Sequence, residues 1–106
     1  MDNIFELHAD ICKTFASAKR LEIIYALRNG QMSACQLLEQ MSISKANLSQ
    51  HLRVLVEKGV VVSHRVGVNM YYRLSDIRIT QACELMREVM IARLDRNKEI
   101  LASSKR

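Results

Sequence analysis

The sequence predicts a mainly α-helical fold with one small β-hairpin, in the order α-α-α-α-β-β-α. Three observations carry this. Before residue 59, apolar residues recur at steps of three and four in four separate stretches. Over Val60–Val66 that period gives way to β-branched residues, and a second strand-like run, Met70–Leu74, follows across the bend Gly67-Val68-Asn69. A long apolar stripe at helical spacing then closes the chain. Two short helices joined by a tight turn and followed by a hairpin make a winged helix-turn-helix.

Each element has its own signal. In the first helix, residues 3–16, Ile4, Phe5, His8, Ile11, Cys12 and Phe15 fall on one face. Ser17 can cap a second helix that runs to Asn29 and stops at Gly30, with Leu21, Ile24, Tyr25 and Leu27 as its inner face. Ser33, with Gln36 three residues on, has capping-box spacing and begins a short third helix. The apolar positions of that helix are Cys35, Leu37, Leu38 and Met41. Ser42–Ser44 is the turn, Ser44 the next cap, and Gly59 the end of the fourth helix. Leu48, Leu52, Leu55 and Val56 form the fourth helix's apolar stripe. Ser75 and Asp76 open the last helix, which runs to about Leu101. Its stripe is Ile79, Ala82, Cys83, Met86, Val89, Met90, Leu94 and Ile100, and a polar, frayed tail follows over Ser103–Arg106.

With 106 residues, the whole chain 1–106 reads as a single domain. Its 49% hydrophobic and 25% charged residues exclude intrinsic disorder. The net charge of +5 is unevenly placed. Residues 1–43 hold four basic against five acidic side chains, whereas residues 42–74 hold five basic against Glu57 alone. The positive field therefore sits on the predicted helix-turn-helix and hairpin, where attraction to phosphate needs it. No apolar run approaches the roughly 20 residues of a membrane span, and the acidic, polar start is unlike a signal peptide. Three cysteines far apart fit reduced thiols in a cytoplasm better than a disulfide framework. Neither a paired carboxylate nor a nucleophile–base signature supports an enzyme.

The fourth helix points to DNA. A major groove admits one helix, whose N-terminal residues reach base edges. Ser44, Lys45, Asn47, Ser49, Gln50 and His51 crowd that end, with Arg53 one turn on. Asn47 and Gln50 suit an adenine edge, and Lys45 suits guanine or phosphate. Ser44 and Ser49 suit phosphate, and Arg65 near the hairpin tip suits the neighbouring backbone or minor groove. The competing reading of the same face is a helix that merely meets water. His8 reads as an interface histidine and His64 as an exposed wing residue.

These stretches resemble the ArsR/SmtB family of bacterial winged-helix repressors. The similar pieces are AKRLEIIYAL on the second helix, SISKANLSQHLRVLVEKGVV on the helix-turn-helix and RVGVNMYYRL on the wing. The resemblance implies a homodimer, joined through its first and last helices, that represses an operon from a double-stranded DNA operator and leaves when an inducer binds. It also implies that His51 belongs to the reading helix. The family's metal and redox sites are not carried over intact. The arsenic-sensing C-x-C pair corresponds to Ser33-Ala34-Cys35, and the start of the zinc site to Asp76-Ile77-Arg78 in a helix without histidine. The persulfide-sensing thiols align with Tyr25 and about Ile91. Cys12, Cys35 and Cys83 remain as candidate sensors of a thiophilic metal or metalloid ion or a redox signal, against the ordinary reading of packed thiols. No cofactor is otherwise expected. The alternative function is a winged-helix module that binds protein or RNA and has no inducer site.

Overall fold

The computed structural model describes residues 3–104, with side-chain surroundings for residues 3–98. Its elements are α1 (Ile4–Thr14), α2 (Ala18–Ala26) with a 3-10 turn at Leu27–Asn29, β1 (Met32–Ser33), α3 (Ala34–Gln40), α4 (Lys45–Glu57), β2 (Val61–Val66), β3 (Asn69–Leu74) and α5 (Arg78–Ser104). The predicted order holds, with one addition. β1 joins the hairpin to make a three-stranded antiparallel sheet in the order β1-β3-β2, Met32 facing Tyr72 and Ser33 facing Tyr71.

Capping chemistry sets the helix starts. Ser17 Oγ accepts from Arg20 N at 3.4 Å, and Ser44 Oγ accepts from Asn47 N at 3.1 Å. At α3 the capping box is reciprocal: Ser33 Oγ accepts from Gln36 N (3.2 Å), and Gln36 Oε1 accepts from Ser33 N (2.8 Å). α4 ends in a Schellman motif. Gly59 takes φ +75°, its N–H reaches Val56 O (3.1 Å), and Val60 N–H reaches Leu55 O (3.0 Å). Ser75 then fastens the base of the hairpin to this end, its Oγ donating to Gly59 O at 2.7 Å. The hairpin turn is tighter than the three-residue bend expected. Val66 pairs with Asn69, which leaves Gly67 and Val68 as a two-residue loop, and Gly67 at φ +62° gives it the type II′ pattern.

The core is built from the middle of the chain. Ile23, Ile24, Leu27, Leu37, Leu48, Leu52, Leu55, Val60 and Val61 are buried together. The α4 stripe is as predicted. On α2, however, Ile23 is buried and Tyr25 is exposed, because the face that meets α4 is centred one residue before the expected one. Cys35 is exposed as well: in so short a helix the buried Leu37 fixes the face, and Cys35 falls outside it. Helix α5 begins at Arg78 rather than at Ser75 or Asp76 and continues through Ser104. The helix therefore takes in Ser103 and Ser104, the first half of the predicted frayed tail, while Ile100's side chain and Lys105 and Arg106 fall outside the described residues.

The terminal helices add little to this core. Phe15 packs on it from just beyond α1, and Ile79 and Cys83 from the start of α5. Helix α5 spans 27 residues, about 40 Å at the usual rise, and most of it extends beyond the core. The radius of gyration is 17.1 Å, against about 13 Å for a compact chain of this length.

Leu52→Ala should destabilise the fold by about 2–5 kcal/mol, whereas Val68→Ala at the exposed turn should stay within about 0.5 kcal/mol of the parent. Urea unfolding at one fixed protein concentration measures both. Equal losses at the two sites would contradict this core.

Candidate nucleic-acid interface

Burial of Leu48, Leu52 and Leu55 fixes the rotation of α4. Ser44, Lys45, Asn47, Ser49, Gln50 and Arg53 are consequently all exposed, so the structure brings six of the predicted site residues onto one free surface of one helix. Asn47 and Gln50 are three residues apart and therefore neighbours on that surface, as are Gln50 and Arg53. The first turn of α4 contains no acidic residue. Its positive end and unpaired N–H groups are thus left for an outside anion. Ser44 uses one lone pair as the cap, and its hydroxyl proton stays available to a phosphate.

His51 differs from the other six. It is half-buried at the edge of the exposed surface, and its Nδ1 accepts from Arg20 Nε at 3.3 Å. A guanidinium can only donate, so this bond places the ring proton on Nε2. Arg20 also donates through Nη1 to Thr14 O at 3.4 Å. One side chain on α2 therefore ties the end of α1 to the flank of α4. Sequence reasoning missed this role, since Arg20 and His51 are 31 positions apart and no periodicity links them.

On the hairpin, Arg65 is exposed on β2 opposite Met70, one pair from the end of the ladder. Arg73 is exposed on β3. His64 departs from its expectation: it pairs with Tyr71 across the ladder and stacks on its ring at 5.8 Å between centroids, half-buried. His8 is on the exposed surface of α1.

The three cysteines do not converge in one chain. Among the described residues, no three His, Cys, Asp or Glu side chains gather in a way that could hold a metal ion. Cys12 and Cys35 are exposed, while Cys83 packs against the core, and burial there pushes its thiol up despite nearby Arg87. Asp76, aligned with the start of the family's zinc site, is committed to Arg78. Its Oδ2 faces Arg78 Nη2 at 2.6 Å, and its Oδ1 accepts from Arg78 N at 2.8 Å, which starts α5. The hydrogen-bonded Arg78 side chain, with its backbone N–H, holds the Asp76 carboxyl down at about 2.

A buried leucine stripe, an exposed polar helix and a basic hairpin define a winged helix-turn-helix DNA-binding regulator of transcription. The profile of the arsR family of bacterial regulatory proteins matches residues 17–63. The transcriptional repressor SdpR of Bacillus subtilis (strain 168) is 33% identical over 75 residues, spanning 71% of this chain and 76% of the relative. A biofilm growth-associated repressor of Xylella fastidiosa (strain 9a5c) is 31% identical over 84 residues, spanning 79% and 74%. Among solved structures, the crystal structure of Mycobacterium tuberculosis Rv0081 superposes with a TM-score of 0.81 at 30% identity, covering 89% of this chain and 95% of that one. The chain belongs to the ArsR family. Its family is one of regulatory proteins rather than enzymes, and no helix among the described residues is long and apolar enough to cross a membrane.

Asp76 should titrate near pH 2 by NMR, well below an ordinary carboxylate. Its ion pair then supports the fold at neutral pH and is lost only as pH falls through that value. Arg78→Gln should return the titration toward 3.8. An unchanged titration in that variant would mean the pair does not form.

Proposed function

We propose that the chain is a homodimeric, cytoplasmic repressor that places α4 in the major groove of a palindromic operator and the hairpin on the flanking backbone, and that an inducer releases it. The observation that carries this is the pairing of two unfinished surfaces on one molecule. One is the polar, cap-ordered start of α4. The other is an apolar surface on the terminal helices with nothing covering it.

That second surface is large. Phe5 is 81% exposed, and Met86 and Val89 are each 64% exposed. Leu7, Leu85, Met90 and Leu94 are also more than half exposed. Single exposed apolar side chains are ordinary, but many of them along the same helices mark an interaction surface. An excess radius of gyration of about 4 Å over the compact value says the same thing in geometric terms. A second copy, paired about a two-fold axis, covers like with like. It also sets two α4 helices at a fixed spacing, which a palindrome requires. The related repressors named above support repression over activation.

On DNA, Lys45, Asn47 and Gln50 are assigned to base edges, and Ser44, Ser49, His51, Arg53 and Arg65 to phosphate or sugar. A protein- or RNA-binding module is the rival. It does not need polar, amide-bearing side chains concentrated in the first two turns of a helix.

Two experiments test the reading. In a mobility-shift titration on operator DNA, Asn47→Ala and Gln50→Ala should each cost about 1–3 kcal/mol and relax base preference, while Arg65→Ala should weaken all duplexes alike and flatten the salt dependence. A double Asn47→Ala, Gln50→Ala protein that bound its operator like the parent would refute this orientation of α4. For assembly, Met86→Glu should convert a sedimenting dimer into a monomer and abolish tight operator binding. A parent protein that sediments as a monomer at micromolar concentration would refute the dimer.

A further inference from the structure

A groove beside the reading head takes no part in the proposed DNA contacts. Helices α2, α3 and α5 border a groove of about 660 Å³, within the roughly 300–1,000 Å³ of small-molecule sites. Leu21 and Tyr25 from α2, Arg28 from the 3-10 turn, Gln40 and Met41 from the end of α3, and Arg87 from α5 form its wall. Arg28 Cζ is 3.8 Å from the centroid of the Tyr25 ring, and Arg87 Cζ is 5.2 Å from the same centroid. The two guanidiniums can therefore be no farther apart than those distances laid end to end. The negative face of one ring thus helps to hold two positive groups beside each other.

Neither arginine has an ion-pair partner among the described residues. Arg28 Nη1 donates to Tyr25 O at 2.8 Å, which leaves its other N–H groups free for a ligand. The one carboxylate in the wall, Glu22, faces Lys19 Nζ at 3.3 Å. The groove thus offers two unneutralised guanidiniums and the Gln40 amide beside the apolar Leu21 and Met41. Guanidiniums bind carboxylates through paired, charge-assisted hydrogen bonds.

We propose that this groove binds a small organic carboxylate with an apolar body, and that such a ligand is the inducer; the second half rests on the repressor reading above. The placement suits that role. Helix α2 carries Arg20, which holds His51 of the reading helix. Met41 leads directly into the Ser42–Ser44 turn before α4. Helix α5 carries the uncovered apolar stripe. A ligand gripping Arg87 on one side and Arg28 and Gln40 on the other fixes the angle between the dimerising helix and the reading head. It therefore favours one arrangement of the two over another, which is the differential affinity that release requires.

The test uses the full chain, isotopically labelled, with the Nε–H signals of Arg28 and Arg87 followed by NMR. Phenylacetate, indole-3-acetate and octanoate are the probes, each titrated beside its neutral amide. At least one carboxylate should shift both signals saturably at millimolar concentration or below, and its amide should bind at least about tenfold more weakly. Arg28→Gln and Arg87→Gln should each lose a comparable factor while the backbone spectrum keeps its folded dispersion. The site is refuted if no carboxylate saturates, if amide and acid bind alike, or if binding survives both substitutions. Inorganic phosphate binding as tightly as the carboxylates would overturn the ligand class. Operator affinity is measured first without ligand, so a protein that never binds DNA overturns the repressor reading and leaves the groove result intact. Carboxylate binding that leaves operator affinity unchanged overturns the inducer role alone.

Discussion

The burial of three leucines on α4 is the constraint from which the outer surface of this protein follows. Leu48, Leu52 and Leu55 are at helical spacing, and all three are buried with Ile23, Ile24 and Leu27 of the α2 segment and Leu37 of α3. Each such side chain contributes about 1.5–3 kcal/mol when removed from water. Rotating α4 to hide another face would forfeit all three contributions at once. The residues on the other side, from Lys45 to Arg53, are exposed for this reason and need no contact of their own to hold them out. The Arg20–His51 bond adds a directional lock at the edge of the stripe, where apolar contact alone would leave the helix some freedom to roll.

The same core explains why the terminal helices look unfinished. It closes on residues between Ile23 and Val61, so α1 and α5 attach to a head that is already complete. Their attachments are local and few. Lys58 Nζ meets Asp10 Oδ2 at 2.9 Å, Arg20 reaches Thr14 O, and Ser75 holds the strand base from which α5 departs. An exposed ion pair of this kind contributes at most about 1 kcal/mol. Such links orient α1 and α5 but do not compensate for the apolar surface the two helices leave in water. The head's core thus closes without α1 and α5, whose exposed apolar residues are left at its edge.

What the sequence revealed divides along a physical line. Features determined within a few residues were legible: the caps at Ser17, Ser33 and Ser44, the stop at Gly59, the α4 stripe and the hairpin. Each depends on local hydrogen bonds or on one period. Features made by residues distant in sequence were not. Strand β1 is only two residues long and exists because Tyr71 and Tyr72 lie beside it. The exposure of Tyr25 and the burial of Ile23 depend on where α4 crosses α2, which no α2 pattern records. His64 looked like a free wing histidine because its stacking partner Tyr71 is on the other strand. Of the candidate DNA contacts, the exposed set on α4 was visible as a helical face, whereas the bond that steadies His51 and the groove around Tyr25 required three-dimensional placement.

A groove ligand that acts as inducer must meet a definite energetic requirement. Moving a repressor from 99% competent to 1% competent requires about 5.5 kcal/mol of differential binding. In the proposed dimer two equivalent grooves share that requirement, so each ligand must supply just under 3 kcal/mol, within the roughly 1–3 kcal/mol typical of allosteric coupling. Two charge-assisted contacts to Arg28 and Arg87 are of that order when made in one state and strained in the other. The planar guanidinium fork suits this task, because its donors are already arranged to meet a carboxylate in pairs.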